Sequence, residues 1–544
     1  MGKKYQHWTP RTTTRPQSVS EIAAIVLANR RFEPLDKLEY GDHGLQSVVT
    51  TVSDALKAGK RIALYADYDV DGTMSCVSWV WFLRAIGYTN FVTYIPCRFK
   101  EGYGVNLAAV QHLIENEKVD LIITMDTGIT ANEEARYCRE RGVQFICTDH
   151  HQIQKEKMPD CITLNPRMHP QEEYQQLCGC GITFVLLRRL AEHFPVEASL
   201  WTDLLALAGM ATICDVVPLG RVNHKLARLG VSSLMRSTRP VLARLREAAS
   251  LQEKLDEKDV GFRLGPRINA VGRLGHADQV VQAFIGEDPE PLIRYMGECN
   301  EERKGIQARI VREALVLGAD HAHEPILFLG GDWHPGVVGI AASRIAETLW
   351  RPTWLFQRQD GVGKGSARSI PGFDVTLAMQ SCGELFKKFG GHTAAGGFAF
   401  DLAQEDKIRA ALTEYALALR EKTPGLWESS SAFDCDLPSE LATPELGLAI
   451  DQLKPYGNCF EEPRFRIRGN IFSVQYYNDK QTGERKHTAI LVGDDARSAR
   501  KVLFFNEVIE GIEQKQHAEF LVSAKKDVFR GNVTLSLFGH DYAF

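Results

Sequence analysis

Three carboxylates fall within the short stretch Asp67-Tyr68-Asp69-Val70-Asp71-Gly72, directly after the apolar run Ile62-Ala63-Leu64-Tyr65-Ala66. Held at the end of a strand they would repel one another unless a cation neutralised them, so a metal site gives the arrangement a physical reason. An acidic surface loop is the bland alternative. A calcium loop is excluded, because it needs a glutamate about six residues past the glycine, where the chain reads Val77-Ser78-Trp79. Asp149-His150-His151 adds carboxylate and imidazole, a mixed oxygen and nitrogen set that suits Mn²⁺ or Mg²⁺; alone, such a pair of histidines is more often a polar turn. With Asp126, and with Asp215 in Cys214-Asp215-Val216-Val217-Pro218, the count suffices for two ions. Two ions can polarise a phosphoryl oxygen and generate hydroxide near neutral pH, which makes phosphodiester hydrolysis the natural chemistry.

These residues need a scaffold that brings them together. From 60 to about 218 short apolar runs alternate with helix-like stretches, the pattern of a parallel α/β sheet. Strands are expected at 62–66, 91–95, 121–125 and 143–147, with helices at 74–86 and 133–141. Asp67, Asp126 and Asp149 each follow a strand within two residues, and open parallel sheets bind ligands at that edge. From 221 to 323 the pattern becomes helical and locally basic, ending in a long polar helix at 291–317. A second α/β unit follows, with a strand at 326–329, a glycine-rich turn at Gly330-Gly331 and helices at 337–349 and 408–420; Thr423-Pro424-Gly425 is the expected boundary. Beyond 433 short alternating runs such as Val533-Thr534-Leu535-Ser536-Leu537 predict a small β-barrel, in which Tyr476-Tyr477 are read as aromatic core before base-stacking groups.

Composition narrows the setting. The chain has 544 residues, 64 Lys+Arg against 69 Asp+Glu and a formal net charge of −5, so a polyanion must be met by local patches and metals rather than by a uniformly basic surface. Arg263, Arg267 and Arg273 form one such patch, with no acid between Asp259 and Asp278, against a solvated basic loop as the bland reading. Twelve cysteines at this length are too few for a disulfide scaffold, and Cys178-Gly179-Cys180 reads as a packing turn rather than a zinc pair. No apolar run reaches the ~18 residues of a membrane span and the first residues lack an apolar signal core, so a soluble cytoplasmic protein is expected.

The four acidic motifs in this order resemble the DHH phosphoesterase superfamily. Four downstream motifs narrow the likeness to the RecJ family of single-strand-specific exonucleases. They are Arg267-Ile268-Asn269-Ala270-Val271-Gly272-Arg273, Trp333-His334-Pro335-Gly336-Val337-Val338-Gly339-Ile340, Gly365-Ser366-Ala367-Arg368-Ser369 and Gly390-Gly391-His392-Thr393-Ala394-Ala395-Gly396-Gly397. The resemblance implies an α/β protein with a DHH catalytic domain (46–220) after an N-terminal segment (1–45), a helical connector (221–325), a DHHA1 domain (326–425) and an OB-fold (426–544). It implies 5′→3′ degradation of single-stranded DNA to mononucleotides in recombination and repair, with a single-strand-binding protein and a helicase as partners. Asp69, Asp71, Asp126, Asp149, His150 and Asp215 match the metal-ligand positions for Mn²⁺ or Mg²⁺, with Asp67 and His151 in close support. Arg98, Arg267, Asn269, Arg273, Ser366, Arg368 and His392 match positions expected at the substrate. The glycine runs near 365 and 390 suit phosphate approach but lack P-loop spacing, so ATP hydrolysis is not supported.

Two positions depart from the family pattern. Tyr65 stands where many superfamily members carry a ligand histidine, so one ion is expected to be held less tightly or by another group. In Pro455-Tyr456-Gly457-Asn458-Cys459-Phe460-Glu461-Glu462-Pro463, Phe460-Glu461 replaces the common Asn-Pro, which bears on how the last domain is attached. The competing readings are a DHH phosphodiesterase for short oligoribonucleotides or cyclic dinucleotides, which would need no C-terminal barrel, and an inert scaffold, which would not need every acid.

Overall fold

The computed structural model describes residues 4–38, 44–168, 174–321, 323–529 and 531–544. The chain forms two compact units, one comprising Arg30–Asn300 with Leu453–Glu462, the other Met1–Asn29, Glu301–Gln452 and Pro463–Phe544. The division falls inside the helix Glu290–Asp320.

The first unit is built on a five-stranded sheet in the order Phe91–Tyr94, Ile62–Ala66, Leu121–Met125, Gln144–Thr148, Ile162–Leu164, all parallel. The strands Ile62–Ala66 and Leu121–Met125 are buried along their whole length because crossover helices cover both faces. Register then does the positioning. Ala66 pairs with Met125 and Met125 with Thr148, so the next residues, Asp67, Asp126 and Asp149, leave the sheet at one level of its carboxyl edge. The chain runs outward from Ile62–Ala66 to Phe91–Tyr94 and then crosses to Leu121–Met125, which makes the gap between Asp67 and Asp126 the switch point of the sheet.

The helix Val70–Ala85 is buried from Val70 to Leu83 against Gly179–Leu190 and Ala198–Cys214. It starts four residues earlier than the apolar pattern predicts, because Asp69 is its N-cap: the carboxylate accepts from the Asp71 and Gly72 amides. Helices Ala198–Cys214 and Arg221–Arg236 touch backbone to backbone, a Cβ at Gly209 falling 2.5 Å from the Gly230 Cα.

In the second unit a mixed sheet runs Lys388–His392, Ala395–Asp401, Val362–Arg368, Thr353–Gln359, Leu327–Gly331. The expected turn at Gly330-Gly331 is instead the end of a strand, paired with Phe356 and Gln357. These glycines mark close approach of aromatic rings: a side chain at Gly330 would collide with Phe356, and one at Gly331 with Trp333. The last sheet is a barrel, since Phe465–Asn478 pairs with Arg485–Gly493 on one side and with His517–Phe529 on the other, closing the ring through Arg500–Phe504 and Asn532–Ala543. Tyr476 and Tyr477 are half-buried on it, beside Arg485 and Lys501, rather than in its core. The strand His7–Pro10 pairs with Ser430–Phe433 in the same unit. Two α/β parts with helical connection and a C-terminal barrel are thus the observed architecture. All twelve cysteines are free, and among the described residues no helix is long and apolar enough to cross a membrane.

Candidate active site

The acid-rich turn after Ile62–Ala66 is shaped by backbone as much as by charge. A Cβ at Gly72 would run into the Asp67 backbone, so only glycine lets the helix begin this close behind the strand. Asp71, 1% exposed, has its carboxylate held by the Gly179 and Cys180 amides at 2.5 and 2.7 Å, the opening turn of helix Gly179–Leu190. A helix N-terminus is a natural seat for an anion. Burial and the neighbouring Asp69 nevertheless push its pKa up to about 6. Gly179 is required there, because a Cβ would lie 2.6 Å from that of Asp126. The Cys178-Gly179-Cys180 turn is therefore part of the site; glycines just before an apolar helix were the signal.

Around these lie two groups of donors. Asp67, Asp69 and Asp126 can each bring an oxygen within 4.8 Å of the others, and so can Asp71, His150 and Asp215 with His150 nitrogen included. His150 Nε2 stands 3.0 Å from Asp126, 3.5 Å from Asp215 and 3.7 Å from Asp71, so Asp126 links the groups. A further group joins Asp126, His150 and His151. Burial and mutual repulsion raise the pKa values of Asp67, Asp126 and Asp215 well above the ordinary carboxylate range. The Asp67 Oδ1 atom is buried and has no hydrogen-bond partner among the described residues. Crowded buried carboxylates with an unused oxygen are what a divalent cation would relieve, and an oxygen-rich set with one imidazole suits Mn²⁺ or Mg²⁺.

Among the described residues Asp149 joins none of these groups. Its oxygens accept from the His150 amide (2.7 Å), the His151 amide (3.0 Å), His151 Nδ1–H (2.7 Å) and the Ile129 amide (2.9 Å). Burial raises its pKa, but the His151 hydrogen bond and charge bring it below the ordinary value, and the same bond raises that of His151 against burial. His151 Nε2 meets the Tyr103 hydroxyl at 3.0 Å, a contact the motif pattern did not disclose. Tyr65 turns away from the acids, its ring stacked 5.2 Å from Tyr94 and its hydroxyl donating to the Gly104 carbonyl. Asp67 stands in the acid cluster instead.

The basic residues divide. Arg98 lies over the Tyr68 ring at 5.2 Å, and Arg98 and Arg273 both lower the pKa of that tyrosine, which burial and Asp67 hold up at about 12. Arg263 donates to the Ala249 carbonyl just past helix Pro240–Ala248 and pairs with Asp259, while Arg267 donates to the Arg263 carbonyl at 2.6 Å and the Ala248 carbonyl at 3.4 Å, so the acid-free stretch is not one open patch. Asn269 Oδ1 accepts from the Val70 amide and so fixes the acidic turn. In the other unit Arg368 donates to Ser366 and, at 3.0 Å, to Ser343, and both Ser366 and Arg368 face Gly339 in the first turn of helix Val338–Leu349. His392 is exposed at the end of its strand.

Three family models match the chain. The DHH family, N-terminal domain, matches residues 61–211, the DHHA1 domain 323–418 and the RecJ OB domain 433–541. The single-stranded-DNA-specific exonuclease RecJ of Dickeya dadantii is 30% identical over 523 residues, 88% of this chain and 88% of that protein. RecJ of Bacillus subtilis is 32% identical over 434 residues, 75% of this chain but 53% of the relative, so the chain spans about half of that protein's length. A crystal structure of RecJ in complex with Mn²⁺ from Thermus thermophilus superposes with a TM-score of 0.83 at 26% identity, covering 99% of this chain and 79% of that one.

Proposed function

This chain belongs to the RecJ family, and from that premise we propose that it is a divalent-metal-dependent nuclease that degrades single-stranded DNA from its 5′ end to mononucleotides, in the cytoplasm and in recombination and repair. The observation that carries the proposal is the pair of donor groups, Asp67–Asp69–Asp126 and Asp71–His150–Asp215, at the switch point of one parallel sheet. Mn²⁺ or Mg²⁺ would be held by these residues and, when bound, would polarise the scissile phosphate and supply a nucleophile at neutral pH. The chain's own groups do the rest. Asp149 locks the His151 tautomer and orientation, which leaves Nε2, with Tyr103, to meet the substrate phosphate. Arg98 and Arg273 beside Tyr68 supply donors for the strand's terminal phosphate; in the other unit, taken by itself, Ser366, Arg368 and His392 offer donors for a phosphate backbone. The barrel gives a strand an extended track, which a dinucleotide would not need. A single-strand-binding protein and a helicase are the partners this activity calls for.

The test compares 5′-labelled and 3′-labelled single-stranded DNA, with RNA and duplex controls, in Mn²⁺, Mg²⁺ and chelator. Early release of the 5′ label as mononucleotide, from single-stranded DNA only and absent in Asp69→Ala, is expected. Release confined to RNA or dinucleotides would keep the phosphodiesterase chemistry but overturn the substrate, and no release with any metal would overturn the reading altogether.

A further inference from the structure

Asp215 is the last of the acids in chain order to join the site, and its own helix reaches one residue further, the Val216 amide donating to the Ile213 carbonyl at 3.3 Å. It is the C-cap of Ala198–Cys214, and the next residue, Val216, has φ of 58°. Helices commonly leave through a left-handed residue, but that residue is usually glycine or asparagine. A β-branched side chain there is strained and holds only where its surroundings insist on it.

The surroundings here come from a distant part of the sequence. Residues 457–460 form a tight turn, with the Gly457 and Phe460 amides each donating to the other's carbonyl at 3.0 and 3.1 Å. Phe460, 1% exposed, anchors the turn between Phe32 at 4.5 Å and His224 at 4.8 Å. Asn458 at its tip grips the Asp215 turn at two points. Its Nδ2 donates to the Val216 carbonyl at 2.9 Å, and its own carbonyl accepts from the Leu219 amide at 2.8 Å. The His224 ring donates to the Leu453 carbonyl at 2.9 Å and ties the near end of the same segment. Val216 and Leu219 are thus both tied to one asparagine on a buried anchor, while Asn223 Nδ2 donates to the Pro218 carbonyl between them at 2.9 Å.

We propose that Asn458 is a positioning residue for Asp215: it keeps Val216 in its strained conformation and so keeps the Asp215 carboxylate 3.5 Å from His150. The inference rests on the reading of Asp215 as a metal-facing carboxylate. Without the side-chain donor, Val216 relaxes out of the left-handed region and Asp215 swings with it. Groups that orient a ligand in this way typically cost about 10–100-fold in metal affinity when removed.

The test uses the full chain stripped of metal and titrated with Mn²⁺, free ion being read by electron paramagnetic resonance, alongside hydrogen exchange of the metal-free protein. Asn458→Ala should weaken Mn²⁺ binding by about tenfold, speed exchange at the Leu219 amide and lower kcat more than it raises KM. Adding Val216→Gly to that variant should return affinity towards the wild-type value, because glycine takes the left-handed turn without a clamp. Wild-type Mn²⁺ affinity in Asn458→Ala, or failure of Val216→Gly to restore it, would overturn the proposal. Asp215→Ala separates the two layers: if it binds Mn²⁺ as the wild type does, the ligand reading beneath the proposal fails instead. Should Asn458→Ala not fold, Asn458→Asp keeps the volume and the Leu219 bond while removing the donor, and the same outcomes apply.

Discussion

Asp149 meets four N–H donors with two oxygens, which makes it the most fully satisfied carboxylate of the site. Replacing it by asparagine would point an NH₂ group at one of those donors and remove the charge that raises His151. Asp149→Asn should therefore lose activity by about 10–100-fold while binding Mn²⁺ with unchanged stoichiometry, measured by calorimetry on protein stripped of metal. Loss of an ion would return Asp149 to the ligand role that its motif suggested. Asp126→Asn, by contrast, should lose ion binding, because Asp126 belongs to both the Asp67 group and the group with His150 and His151. Asp67, Asp126 and Asp149 were legible from their places at strand ends. What each acid faces was not, because Asp149 and Asp71 are claimed by amides of Ile129, Gly179 and Cys180, and backbone donors leave no mark in a motif. Asn269 and Arg267 show the same limit: the residue types fit a substrate strand, and nothing in the motif discloses that Asn269 Oδ1 accepts from the Val70 amide or that Arg267 donates to the Arg263 and Ala248 carbonyls.

Among the elements, buried strands were read correctly because a parallel sheet covered on both faces needs continuous apolar runs. Glycine was the ambiguous letter. At Gly330 it makes room for the Phe356 ring rather than a turn, and at Gly209 and Gly230 it lets two helices touch. Gly230→Ala should force the helices Ala198–Cys214 and Arg221–Arg236 apart at a cost of about 1–3 kcal/mol, measured by urea unfolding, and should disturb Asp215 at the end of the first helix. Wild-type stability would show that this crossing has slack. The second helix also carries a pH dependence. Burial lowers the pKa of His224 to about 4 from 6.5, Arg228 and Lys225 adding to this and the Leu453 bond opposing it. The folded state disfavours the proton, so the unfolded chain binds more protons between these values. The neutral ring's contribution is complete above pH 6.5 and is lost as pH falls towards 4. His224→Gln keeps a donor for Leu453 but cannot titrate. The unfolding free energy of the wild type relative to this variant should fall by up to about 3 kcal/mol between about pH 7.5 and pH 4; a constant difference would rule the titration out.

At the scale of the whole chain, the two ends of the sequence are tied together within the second unit. The first described residues dock on the barrel: His7–Pro10 pairs with Ser430–Phe433, and Asp541, 1% exposed, accepts from the Lys4 amide (2.8 Å), the Tyr5 amide (3.1 Å) and the Trp8 indole N–H (2.7 Å). Nothing in the composition of the first ten residues announces this, because a short strand paired with a partner more than four hundred residues away has no local period to read. The arrangement makes Asp541 a buried charge whose donors all belong to a removable segment. Deleting residues 1–10 should leave that carboxylate without them, and an unsatisfied buried charge costs about 1–3 kcal/mol or more. The same deletion made on Asp541→Ala strands no charge, so it should cost less, and the difference between the two deletions isolates the anchor from the strand pairing. Urea unfolding of the four proteins, followed by barrel tyrosine fluorescence, measures it. Equal costs in both backgrounds would mean that the strand, not Asp541, holds the N-terminus to the barrel.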